Sequence, residues 1–220
     1  CGERSAEGEM RRFLDRYGHV IINVFLLVCL GRYAMDRSSD AFCDAFYHQK
    51  YRYAELAFAL HNIVMLFFIM VRRRHQSIEK GLFNQGIALV AFFSGMAFVQ
   101  VRTDHASLLM AGNTVIVVAM ILSTITVVNL GRSFGILISL RKVKTNGLYG
   151  VVRHPMYLTD ILWRIGIVLT WPSLINGLVF FASSGAYMYR AVLEERFLCS
   201  DSEYRTYMER VRYRFIPGLF

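Results

Sequence analysis

The chain has 220 residues and a net charge of +9, from 25 Lys and Arg against 16 Asp and Glu. It is 55% hydrophobic and 14% aromatic, more apolar than a soluble domain, and its apolar residues fall in blocks of about 20, the length that crosses a bilayer. These features indicate an integral membrane protein. Basic loops beside anionic lipid then explain the charge better than a nucleic-acid partner does.

Residues 17–35, Tyr17 to Met35, form the first apolar block. The second is 51–71, the third runs from Leu82 to Val101, and the fourth from Leu108 to Leu130. Each is long enough to span as a helix, which satisfies its own backbone polar groups. The fifth apolar region, Leu158 to Tyr189, is too long for one simple span, and Trp171-Pro172-Ser173 interrupts it. Proline removes a helix donor and restricts the residue before it. The prediction is a helical hairpin, 158–170 and 173–190, with its tip near Trp171. The stretch Glu194–Arg214 mixes charge with Phe197, Leu198, Tyr204, Tyr207, Met208 and Val211, which predicts an amphipathic tail helix. The expected architecture is all-α: four full spans, a hairpin and the tail helix, in a single domain over 1–220.

Basic loops set the orientation. Arg72-Arg73-Arg74 and Lys80 place the second connection in the cytoplasm, and the short Arg102–His105 connection faces out. Alternation puts both termini and the basic 132–153 loop inside, which fits a bacterial inner membrane. Arg37, Lys50 and Arg52 in or beside the first outer loop run against this rule. The four cysteines, Cys1, Cys29, Cys43 and Cys199, contain no CxxC pair and indicate neither a disulfide framework nor a metal site. Cys1-Gly2 has the form that lipoprotein signal cleavage leaves, and a trimmed chain start has the same form.

Two polar clusters stand out. Arg153-His154-Pro155 lies between Tyr149 and Tyr157, and Arg190 precedes Glu194-Glu195-Arg196. Ionisable residues beside a membrane mark functional sites by default. A hairpin brings its two ends together, so His154 and Glu194 are expected to be neighbours. Pro155 biases His154 away from helical geometry, leaving backbone donors at a helix start for an anionic group. The plainer alternatives are a helix start with interfacial tyrosines and an Arg190–Glu194 i,i+4 ion pair. His61, Asn62, Asn113 and Asn129 read as hydrogen-bonding glue between spans, and Ser123–Thr126 as helix packing. Gly131 to Gly135 lacks the context of a phosphate cradle.

The run Thr145-Asn146-Gly147-Leu148-Tyr149, then Arg153-His154-Pro155-Met156-Tyr157, resembles the T-x-G-x-Y-x-x-x-R-H-P-x-Y signature of isoprenylcysteine carboxyl methyltransferases. Arg190, Glu194 to Leu198, Tyr204, Tyr207 and Arg214-Phe215-Ile216-Pro217 resemble their C-terminal block. The likeness covers roughly 130–220. Phospholipid N-methyltransferases belong to the same superfamily, and sterol reductases are more distant members.

The resemblance implies a methyltransferase that uses S-adenosylmethionine and acts on a membrane lipid or lipidated acceptor. Residues 1–130 would supply spans and 131–220 the catalytic half. Tyr149, His154, Pro155, Met156, Tyr157 and Glu194 would contact the cofactor, and Arg190 would face the substrate. Lys144 closes the Arg141–Lys144 stretch, which stands where the family has H-x-L-V and would offer backbone contacts. Thr159-Asp160 departs from a common glycine. Arg190 could hold an acceptor carboxylate bidentately. An amine acceptor would instead need a base, His154 or Glu195. The other readings are an NADPH-dependent membrane reductase of a sterol or isoprenoid, and a non-catalytic adaptor that keeps the fold.

Overall fold

The computed structural model describes residues 52–218 apart from Arg74. The expected first span, the first outer loop and Cys1 lie outside the described residues. Helix α1 is Arg52–Val71 and α2 is Leu82–Phe93, followed by a 3-10 turn, Ser94–Ala97. Helix α3 is Ala106–Leu130, α4 is Pro155–Thr170, α5 is Leu174–Leu198 and α6 is Ser202–Arg210. The described chain is thus mainly helical, as expected.

Two stretches, Tyr53–Val71 and Ala106–Ser133, are long and apolar enough to cross a bilayer. Only 28% and 33% of their most apolar windows are buried, whereas the core helix of a soluble protein is buried nearly all round. Leu56, Leu60, Ile63 and Phe67 point outward from α1, and Met110, Val118, Ile121 and Ile125 from α3. Inward on the same helices lie His61, Asn62, Ser123 and Thr126. Apolar faces out and polar groups in suit a lipid surround. His61 Nδ1 meets Thr124 Oγ1 at 3.3 Å and links α1 to α3. Asn62 instead donates to Phe58 O of its own helix at 2.8 Å.

The third expected span is shorter than predicted. Regular helix ends at Phe93, and the apolar segment Leu82–Ala97 rises only about 24 Å. Its end is held from outside: Arg164 of α4 donates to Ala91 O at 3.5 Å and Ser94 Oγ at 3.0 Å. Asn176 of α5 then clasps Val99, accepting from its N–H at 3.0 Å and donating to its carbonyl at 2.9 Å.

The hairpin forms with its tip at Trp171–Ser173. Ser173 Oγ caps α5 by accepting from Asn176 N at 3.1 Å, and Asn176 Nδ2 donates to Trp171 O at 2.7 Å. Arg164 Nε donates to Ser183 Oγ at 3.2 Å across the middle. Helix α4 also crosses α3 at glycines. A Cβ on Gly112 would come 2.7 Å from Thr170 N, and one on Gly166 would come 3.0 Å from Ile116 N. Small residues let the two backbones touch.

The polar end corrects two expectations. Helix α5 runs on to Leu198, so Glu194–Leu198 belongs to the hairpin, and only Ser202–Arg210 is tail helix. Asp201 ends the continuity by capping α6, its side chain accepting from Tyr204 N at 3.0 Å. The chain is also not purely helical. Ser77–Ile78 (β1) and Ser139–Leu140 (β2) pair antiparallel, with Ser77 opposite Leu140. Gln85 fastens this pair to α2, donating to Ile138 O at 2.9 Å and accepting from Ile138 N at 3.0 Å. These bonds satisfy backbone groups that the loops would otherwise bury unpaired.

Candidate functional site

The site forms at the open end of the hairpin, where α4 begins and α5 ends. Pro155 is the first residue of α4, a position where the missing N–H costs nothing. Tyr157, one turn in, donates a short hydrogen bond to Glu194 Oε2. His154 Nε2 lies 3.1 Å from Glu195 Oε1, and its ring stacks on Tyr157 with centroids 5.2 Å apart. The expected convergence of His154 and Glu194 at the hairpin base is therefore present in the structure.

The adjacent carboxylates separate because a helix turns about 100° per residue. Glu194 faces a cavity, while Glu195 faces the C-terminal segment. Glu195 is 3% exposed. Its Oε1 is 2.9 Å from Arg153 Nε, in an ion pair whose N–H is not aimed along the contact. Its Oε2 accepts from Arg214 Nε at 2.8 Å. Burial alone would raise its carboxyl, but His154, Arg214 and Arg153 outweigh burial and hold it below the usual carboxylate range.

The cavity has a volume of about 740 Å³ counting its open mouth. Tyr149, His154, Met156, Tyr157, Glu194 and Lys144 line it, while Pro155 and Arg190 do not. Tyr149 is placed by the 3-10 turn Gly147–Gly150. Gly147 sits at φ +63°, where a Cβ would meet Asn129 Nδ2 at 2.3 Å, so this turn needs glycine. Tyr207 of α6 donates to Tyr149 O at 2.7 Å and closes the cavity wall. Burial, with Glu194 nearby, pushes the Tyr149 hydroxyl well above the ordinary tyrosine value, and burial does the same to Tyr204 and Tyr207. All three remain neutral donors at neutral pH.

Two expectations about this end are corrected. The backbone amides before Pro155 are not free for an anion: Arg153 N donates to Tyr213 O and His154 N to Arg214 O, each at 2.9 Å. The C-terminal segment takes these two donors. Arg190 forms no ion pair with Glu194 among the described residues. It is 1% exposed, donates to Ala88 O at 3.0 Å and to Ile136 O at 2.5 Å, and lies 5.1 Å from the Tyr157 ring centroid. It reaches the cavity only through Tyr157, and it binds α5 to α2 and the Ile136 loop.

Arg141, Tyr204 and Tyr207 line the cavity without having been singled out as site residues. The tyrosine pair had a signal, since i,i+3 spacing puts both on one face of a helix. Arg141 had none beyond its departure from the H-x-L-V pattern, because the loop that carries it is placed by β1 and Gln85, far away in sequence.

Residues 101–201 match the phospholipid methyltransferase family. The chain is 27% identical over 132 residues to protein-S-isoprenylcysteine O-methyltransferase B of Arabidopsis thaliana, over 57% of this chain and 64% of that protein. It thus spans a little under two thirds of that relative's length. The family match covers most of the residues that line the cavity, and the relative bears the family name that the His154 and Glu194 motifs indicate. The chain is thus similar, over its C-terminal half, to the isoprenylcysteine and phospholipid methyltransferases.

Proposed function

We propose that this protein is an S-adenosylmethionine-dependent membrane methyltransferase whose acceptor is lipid-like, with a prenylcysteine-type carboxylate as the leading class. The observation that carries the proposal is the cavity at the hairpin base, walled by the Tyr149–Tyr157 motif and by Glu194. Aromatic, apolar and charged side chains converge on it, the make-up that small-molecule sites have. The donor set fits as well. Tyr157 and His154 offer aromatic faces to a sulfonium, and Glu194 offers acceptors for ribose hydroxyls or an ammonium. The family match over 101–201 and the likeness to an isoprenylcysteine O-methyltransferase support the same reading.

Held by Glu194, Tyr157 and His154, the methyl donor would supply a methyl group on cationic sulfur for an acceptor carboxylate, with the sulfur leaving as a neutral thioether. The chain's own residues then have three tasks. Glu194, held by Tyr157, fixes the donor's polar end. Stacked His154 and Tyr157 position the reacting centre. The buried Tyr149 and Tyr207 wall excludes water, and a water-poor site favours a step that annihilates charge. A carboxylate acceptor requires no base. This suits a site where His154 Nε2 and Glu195 are already hydrogen-bonded to each other and Glu195 is held by three cationic residues. Arg190 serves as a positioning residue behind Tyr157. The basic residues of the 72–80 and 132–153 loops support a cavity mouth on the cytoplasmic side.

The test is calorimetric titration of detergent-purified protein with S-adenosylhomocysteine, followed by transfer of labelled methyl to a prenylcysteine analogue and to a phospholipid amine. Wild type binds. Glu194→Ala and His154→Ala each weaken binding by about tenfold or more, the loss of one charge-assisted contact. No binding by wild type, or NADPH binding in its place, refutes the proposal. Transfer to the amine alone replaces the carboxylate acceptor.

A further inference from the structure

Arg141 lies in the wall of the same cavity as Glu194. Its guanidinium is seated. Nη1 donates to Ser139 Oγ at 2.5 Å and Nε to Arg73 O at 3.4 Å. It rests on Gly135, where a Cβ would come 2.0 Å from Nη1, so any larger residue there displaces it. Among the described residues, no carboxylate pairs with Arg141. Arg72 stands near enough to act on it electrostatically, and burial followed by Arg72 brings its pKa down to about 10. It therefore stays charged at neutral pH. Among the described residues, two of the five N–H donors of this guanidinium are used, and the rest can serve an anion.

The other cations of the wall serve less well. Arg153 is committed to Glu195, Lys142 is exposed, and half-buried Lys144 offers a point charge without a planar fork. Arg141 and Glu194 thus put opposite charges into one cavity without forming an ion pair. That arrangement suits a ligand with both charges at one end, an α-amino acid group. A guanidinium also matches a carboxylate in a planar, bidentate fashion.

We infer that Arg141 is the carboxylate subsite for the methyl donor, taking the carboxylate of its amino-acid end while Glu194 takes the ammonium. The inference rests on the methyl-donor reading above. It assigns a side-chain role at a position where the motif resemblance implies only backbone contacts.

The experiment compares S-adenosylhomocysteine with its decarboxylated analogue, which keeps the amine, by calorimetry on the detergent-purified chain. Wild type binds the carboxylate form at least about tenfold more tightly, the worth of one charge-assisted contact. Arg141→Met abolishes that preference while leaving the decarboxylated analogue's affinity within about twofold, and Arg141→Lys restores part of it, as a point charge without the fork does. Equal binding of both compounds by wild type overturns the subsite and leaves the methyl-donor reading standing. So does a preference that survives in Arg141→Met, or an equal loss for both compounds in that variant. If Arg141→Met does not yield folded protein, the wild-type pair and Arg141→Lys decide. Failure of wild type to bind either compound overturns the methyl-donor reading, and the subsite with it.

Discussion

Glu195→Gln should be the most damaging isosteric change in the described structure. The carboxylate is 3% exposed, and its two oxygens meet three cationic residues: Arg153 at 2.9 Å, His154 at 3.1 Å and Arg214 at 2.8 Å. At 2.9 Å and an effective dielectric of 20, one such pair is attracted by about 6 kcal/mol before desolvation is counted. Removing one partner of a buried pair costs about 3–5 kcal/mol net, because the other charge stays buried. Arg153 is in that position, its side chain 9% exposed. Arg214, 29% exposed, can recover water, and Gln retains one acceptor, so the expected loss is about 3 kcal/mol. The assay is unfolding in detergent, followed by tyrosine fluorescence or circular dichroism. A loss under about 1 kcal/mol, the worth of an exposed pair, would refute the description of Glu195 as a buried hub. The pH dependence has a definite sign. The Glu195 carboxyl is held below its usual range, so its contribution is complete above about pH 4.3 and disappears as pH falls through the lower folded-state value. The gap between wild type and Glu195→Gln should narrow in that acid window.

Arg190→Met leaves Ala88 O and Ile136 O without their donor, and each buried orphan costs about 1–3 kcal/mol. Stability and S-adenosylhomocysteine affinity should therefore fall together. Unchanged stability with a raised acceptor KM alone would put the guanidinium on the acceptor instead. Gly147→Ala forces a side chain into φ +63° beside Asn129 and should destabilise by about 1–2 kcal/mol. Because that turn carries Tyr149, affinity for S-adenosylhomocysteine should drop as well, and a thermal midpoint equal to wild type would contradict the close contact.

Much of the scaffold was legible in the residues alone. Long apolar blocks demand helices because lipid offers backbone groups no partner, and α1 and α3 begin and end within a few residues of those blocks. Trp171-Pro172-Ser173 marked the hairpin tip for a local reason, the missing donor of proline. The shortened third helix was not legible. Phe93 to Phe98 are as apolar as the residues before them, and the helix ends where Arg164 and Asn176 supply alternative partners. The strand pair and the Gln85 clasp were hidden for the same reason.

For the site, sequence by itself determined which residues are present at the two ends of one hairpin, and hence that His154 and Glu194 meet. Tertiary structure alone decided what each one does. Helical rotation turns Glu194 into the cavity and Glu195 away from it. The segment at Tyr213–Arg214 takes the amides of Arg153 and His154. Carbonyls on α2 and the Ile136 loop claim Arg190, while Arg141 lines the cavity with no ion-pair partner among the described residues. These outcomes depend on partners 19 to 102 positions away along the chain, and no local pattern encodes which distant carbonyl or carboxylate a long cationic side chain will reach.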